Sequence, residues 1–170
     1  MMRQGWTKIA ITCLVTALVP ISAWAEPERA MARVHRDIAT AAEPLWQRMG
    51  GFFALADWHP AIRASTMAAD GRQRRITLND GAEFVETLMT YDLRRYRYRY
   101  RVEDPNPLPF TDYVGTVRVI PLGSTSRVVW SATYRPTGDA GKVQETLRGL
   151  FAAGLDELVT EHRPSSNKSP

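Results

Sequence analysis

Glu86 and Arg74 are the residues whose types and placement most invite chemistry. Across residues 82–91 a period of two sets Glu86 on one face with Phe84 and Leu88, while Glu83, Val85, Thr87, Met89 and Tyr91 take the more polar face. A carboxylate among apolar side chains is costly unless it is paired or hydrogen-bonded. Arg74 shares a face with Ile76 and Leu78 on the neighbouring hairpin strand and can be that partner. Such a pair either anchors the polar end of a ligand or serves as a structural ion pair, and a bulge between the strands would turn Glu86 outward instead.

His59 closes a tight Trp-His-Pro segment. As a general acid or base it needs a partner within hydrogen-bond reach and an accessible substrate. The plainer expectation is a ring that bonds backbone to fix the turn, with Trp58 packing as a plug that also stands at a cavity entrance. In residues 95–102 strict alternation puts Tyr96, Tyr98, Tyr100 and Val102 on one face and Arg95, Arg97, Arg99 and Arg101 on the other. Inward tyrosines bring hydroxyls that need partners, so a wholly dry core is not expected around them. Tyr113 and Trp130 fall on the apolar faces of their own segments. Together these residues describe an amphipathic cavity with aromatic walls, a few hydroxyls and one charged pair. The arginine ladder is either a solvated face that repels edge-to-edge association or a patch for an anion or partner.

Other chemistry is missing. The sequence has no glycine-rich phosphate loop, no Gly-x-Ser-x-Gly elbow and no paired His or Cys at metal-ligand spacing, and His35, His59 and His162 are scattered. No catalytic residue, metal or cofactor is assigned.

The elements that must position these side chains are legible from periodicity. Residues 139–162 form a long amphipathic helix whose stripe is Val143, Leu147, Leu150, Phe151, Gly154, Leu155 and Leu158, capped by Thr137 or Asp139 and stopped at Arg163-Pro164. Phe151 is counted with the cavity wall. Gly149, Ala152, Ala153 and Gly154 thin the middle of this helix, which implies either close packing or space for a ligand. Upstream, residues 33–38 suit a first strand. Thr40 and Glu43 form a capping-box pattern for a short helix over 41–49, and residues 52–56 supply another turn or two. Strands are expected over 61–67, 74–78, 82–91, 95–102, 112–120 and 127–134, with Asn79-Asp80-Gly81 and Gly123-Ser124-Thr125 as turns. Short connections imply an antiparallel meander, and only the long helix can cover its apolar face.

Residues 1–25 read as a signal peptide, with Arg3 and Lys8 ahead of a short apolar run and Ala23-Trp24-Ala25 as the cleavage site. That run is too short for a permanent membrane anchor. Cys13, the single cysteine, lies within it, so the mature chain has no thiol or disulfide. Residues 26–163 suit one domain, followed by a disordered tail over 164–170. Of the 22 lysines and arginines two fall in the leader, which leaves an excess of about two over the 18 acids. Nucleic acid is not implied by so small an excess.

The series Leu55 to Ile62 around Trp58-His59-Pro60, Arg75 to Gly81, Val85 to Leu88, Tyr96-Arg97-Tyr98, Pro107-Leu108-Pro109 with Tyr113, and Val129-Trp130-Ser131 spans nearly all of the expected mature chain. It resembles the polyketide cyclase/dehydrase-like branch of the START/Bet v 1 (SRPBCC) superfamily. The resemblance implies an α+β helix-grip fold, in which a seven-stranded antiparallel sheet wraps a long C-terminal helix around a cavity for apolar ligands. It also implies that Arg74 and Glu86 face that cavity, as Arg and Glu do in related ligand-binding members. Among exported members the chain is similar to small periplasmic proteins of the MxaD type. The expected ligand set is Trp58, His59, Arg74, Glu86, Tyr98, Tyr113, Trp130 and Phe151. Three functions are compatible with it. One is a periplasmic or secreted carrier of a small hydrophobic or amphipathic molecule. The others are a cyclase-, aromatase- or dehydratase-like enzyme and an accessory protein with a periplasmic oxidoreductase as its partner.

Overall fold

The computed structural model describes residues 28–164. The expected signal peptide and the tail beyond Pro164 lie outside the described residues. Seven antiparallel strands form one sheet: β1 (Ala30–Ile38), β2 (Ile62–Met67), β3 (Gln73–Leu78), β4 (Glu83–Asp92), β5 (Arg97–Val102), β6 (Phe110–Leu122) and β7 (Thr125–Pro136). Their spatial order is β1-β7-β6-β5-β4-β3-β2, so β2 to β7 are a meander and β1 pairs with the last strand, Ala30 opposite Tyr134. Helix α1 (Ala42–Met49) and a 3-10 turn (Leu55–Asp57) fill the crossover from β1 to β2. Helix α2 (Ala140–Glu161) follows β7 and buries Val143, Leu147, Phe151, Gly154, Leu155 and Leu158. These residues recur at three- and four-residue spacing and therefore share one face of the helix. The Asp139 side chain accepts from the Lys142 amide and caps the start.

Local chemistry corrects the sequence reading at three places. The Thr40–Glu43 capping box does not form, because the N-cap is Ala41, which makes no side-chain cap. Pro44 then occupies the third helical position, where it has no N–H for a cap to satisfy. Strand β5 begins at Arg97 rather than Arg95. Asp92 accepts from the Arg95 amide to close a 3-10 turn over Leu93–Arg95, and Tyr96 ends it in the left-handed region at φ 46°. Tyr96 is therefore half-buried beside Trp46 rather than an inward strand residue. Finally, β4 carries a bulge between Leu88 and Thr90. The extra residue reverses the alternation beyond it, so Tyr91 pairs with Tyr98 and stacks on its ring at 6.4 Å on the inner face.

Two glycines in regular structure mark close approaches. Gly115 on β6 lies under the Tyr100 ring, and a Cβ on Gly154 would overlap the ring of His59. The thin middle of α2 is thus partly a packing seat for the Trp58-His59 turn.

Candidate ligand cavity

Arg74 and Glu86 are direct register partners on β3 and β4. Arg74 Nε donates to Glu86 Oε2 at 2.6 Å, and Nη2 lies 2.6 Å from the same oxygen as an ion-pair contact without hydrogen-bond geometry. Arg74 also donates from Nη1 to the Phe52 carbonyl and lies over the Phe52 ring, 4.1 Å from its centroid. Both side chains are almost wholly buried. Burial pushes the Glu86 carboxyl above the usual carboxylate range, against the pull of Arg74. Burial alone would lower the Arg74 pKa, but Glu86, with Tyr98 and Tyr100, holds it above its ordinary value.

A short hydrogen-bonded chain runs along the opposite wall. Trp130 Nε1 donates to the Tyr100 hydroxyl at 2.9 Å, and that hydroxyl is 3.1 Å from the Tyr113 hydroxyl. Burial raises the pKa of both phenols, so each remains a neutral hydroxyl. The Trp130 ring stacks on Phe151 of α2 at 4.8 Å.

His59 is held by backbone at both ends of its ring. The Ala61 amide donates to Nδ1 at 3.2 Å, which fixes the proton on Nε2, and Nε2 donates to the Leu150 carbonyl of α2 at 3.0 Å. Burial brings its pKa down to about 4, so the ring is neutral at pH 7. It ties the turn to the helix and has no nitrogen left for a substrate.

Between these walls is a cavity of about 30 Å³, room for one or two waters. An adjoining apolar vestibule of about 110 Å³ is lined in addition by Leu78, Pro109, Val143 and Thr146. Phe84, Leu108, Phe110, Leu147 and Leu150 border both spaces and separate them.

Of the residues expected at the site, His59, Glu86, Tyr113, Trp130 and Phe151 line this cavity, and Trp58, Arg74 and Tyr98 do not. Trp58 is packed behind His59 against Gly154 and Trp130. Arg74 stands behind Glu86 and under Phe52. Tyr98, its hydroxyl pKa pushed up to about 12 by burial, packs among Trp46, Phe52 and Tyr91. Sequence reasoning named Tyr100 as inward but did not choose it as a site residue, although it is the hub of the hydroxyl chain. It missed Leu108 and Phe110, which sit at the end of a proline-rich loop where no periodicity operates. Among the described residues no three His, Cys, Asp or Glu side chains converge as a metal site.

A sheet curved over one long C-terminal helix, with a small cavity held between them, defines a helix-grip protein. The chain belongs to the family described as polyketide cyclase / dehydrase and lipid transport, which it matches over residues 29–163. It is similar to the protein XoxI from Bacillus cereus at 30% identity and TM-score 0.75, covering 78% of this chain and 95% of that one. A putative uncharacterized protein from Bacillus thuringiensis gives 30% identity and TM-score 0.74 over 79% of this chain and 100% of that one. The Zhui aromatase/cyclase from Streptomyces sp. R1128 shares the fold at 16% identity and TM-score 0.66, covering 83% and 98% of the two chains. No curated protein sequence matches the chain.

Proposed function

We propose that this is an exported, non-catalytic carrier of a small hydrophobic molecule with one polar end. The observation that carries the reading is the cavity wall. It is apolar except where Glu86 and the Tyr100–Tyr113 hydroxyls enter, which is the pattern of a site that orients a largely apolar guest by one polar group. Non-catalysis is supported by His59, whose ring nitrogens are both engaged by backbone. The space present is far below the several hundred Å³ that a drug-sized ligand needs, so binding is coupled to outward movement of the Leu108 loop from Leu147 and Leu150.

One observation favours a second reading, a cyclase- or aromatase-like enzyme. Glu86 is a cavity-lining carboxyl whose pKa burial raises, the direction a general acid needs. An MxaD-type accessory role acts through the surface and leaves the cavity without a task, so it stands third.

Native mass spectrometry of protein purified from its own host tests the carrier reading. A small-molecule mass that is lost on denaturation, and is reduced in Glu86→Gln, supports it. Recovery of a chemically altered guest after incubation would move the assignment to the enzyme. An empty protein that also takes up no apolar probe would sink both. Sequencing the N-terminus of the same sample tests export, the expected first residue being Glu26.

A further inference from the structure

The outward face of the sheet carries four arginines, Arg33, Arg97, Arg99 and Arg118, that form no ion pair with a carboxylate among the described residues. β1, β7, β6 and β5 lie side by side, and their registers set Arg33, Ser131, Thr116 and Arg99 in one cross-strand row. The next row is His35, Val129, Arg118 and Arg97. Their neighbours along each strand are the buried residues, so both rows point away from the core. Strand spacing makes this field about 14 Å wide and about 7 Å high. Several other strand arginines have acids, Arg75 with Glu83, Arg101 with Glu103, Arg127 with Asp37 and Arg135 with Asp112, while Arg63 on β2 stands alone, away from the field.

The field also opposes its own fold. Arg97 and Arg118 are direct register partners, and like charges facing each other across strands destabilise the pairing. Arg97 Nε is buried without a hydrogen bond. Asp92, the register partner of Arg97 on β4, gives its hydrogen bonds to Arg95 and meets Arg97 through charge alone. Arg33, Arg99 and Arg118 are exposed, so their charge is available to an anion from outside.

We infer that this face docks a compact, carboxylate-bearing surface of a partner protein. Guanidinium forks match carboxylates two N–H groups to two oxygens, and Ser131 and Thr116 add short hydroxyls between them. Ion pairs Asp37–Arg127, Asp92–Arg95 and Arg101–Glu103 bound the field on three sides. A compact acidic patch fits inside that border, whereas duplex nucleic acid or an anionic bilayer would run over the border carboxylates. Val129, Ser131 and Thr116 are small, so no large apolar side chain projects from the field to enter a bilayer.

The test uses three labelled probes at low salt: an oligoglutamate peptide, duplex DNA of equal total charge, and vesicles of phosphatidylglycerol in phosphatidylcholine. The full chain is expected to bind the peptide, and Arg97→Gln with Arg118→Gln to weaken that binding about tenfold. Arg118→Glu, which sets an acid opposite Arg97, is expected to weaken binding too and to raise the melting temperature by about 2 °C. Peptide binding unchanged by these substitutions overturns the proposal. So does a fall in the melting temperature of Arg118→Glu, or binding of DNA or vesicles more than about tenfold tighter than the peptide.

Discussion

Nε and Nη2 of Arg74 both lie 2.6 Å from one carboxylate oxygen of Glu86, Nε as its hydrogen-bond donor, and both side chains are almost wholly buried. Removing only the cation leaves a buried carboxyl without its partner. Arg74→Met is therefore expected to cost about 3–5 kcal/mol in urea unfolding, while Arg74→Met with Glu86→Leu recovers most of the loss. A double variant no more stable than the single one would show that the pair supports the fold by something other than mutual neutralisation.

His59 sets a pH dependence whose sign follows from its depressed folded pKa, about 4 against 6.5 for the free ring. A ring buried neutral contributes stability that is fully present above pH 6.5 and is lost as pH falls through 4. The whole interval corresponds to about 3 kcal/mol. Between pH 7 and pH 4.5 the stability difference between the wild type and His59→Gln is expected to shrink by about 2 kcal/mol. Glu86 titrates in the opposite sense, so this difference, rather than the total curve, is the readout. A difference constant with pH would mean that the ring is not held neutral.

Two glycines of α2 separate close packing from open helix surface. Nothing lies within 4 Å of a Cβ built on Gly149, whereas one on Gly154 overlaps His59. Gly149→Ala is expected to stabilise by up to about 1 kcal/mol through helix propensity. Gly154→Ala is expected to destabilise by about 1–3 kcal/mol through forced displacement of the Trp58-His59 turn. Thermal melts of the two variants moving in the same direction would contradict the packing described for that turn.

Leu150 is half-buried and stands between the cavity and the vestibule. Leu150→Ala joins the two spaces and is expected to speed uptake of N-phenyl-1-naphthylamine in stopped-flow fluorescence at a small cost in stability. An unchanged rate would place the entrance elsewhere.

The helix-grip architecture was readable because it rests on periodicities. The Leu147–Phe151–Leu158 stripe and the Tyr98–Tyr100–Val102 alternation each require one buried face, and both are buried. The pairing of Arg74 with Glu86 was readable for the same reason, since a tight turn fixes register. What periodicity could not show was the effect of single local events. The bulge at Leu88 redirects Tyr91, and Asp92 caps a turn that removes Tyr96 from its strand. Nor could it distinguish residues lining the cavity from those one layer behind: Glu86 and Arg74 share a face, yet only Glu86 borders the space. Leu108 and Phe110 join the site through a proline-rich loop, where spacing carries no directional information.

The pairing of β1 with β7 sets an order on how this protein can assemble. The first strand cannot find its edge until nearly all of the remaining described chain exists, because Ala30 meets Tyr134 and Ile38 meets Ser126. Such distant pairing makes sheet closure a late and slow event. A nascent chain shortened anywhere before Pro136 lacks part of the neighbour of β1 and all of α2, so both apolar faces stay uncovered. The molecule therefore completes its core only when β7 and α2 are available to β1.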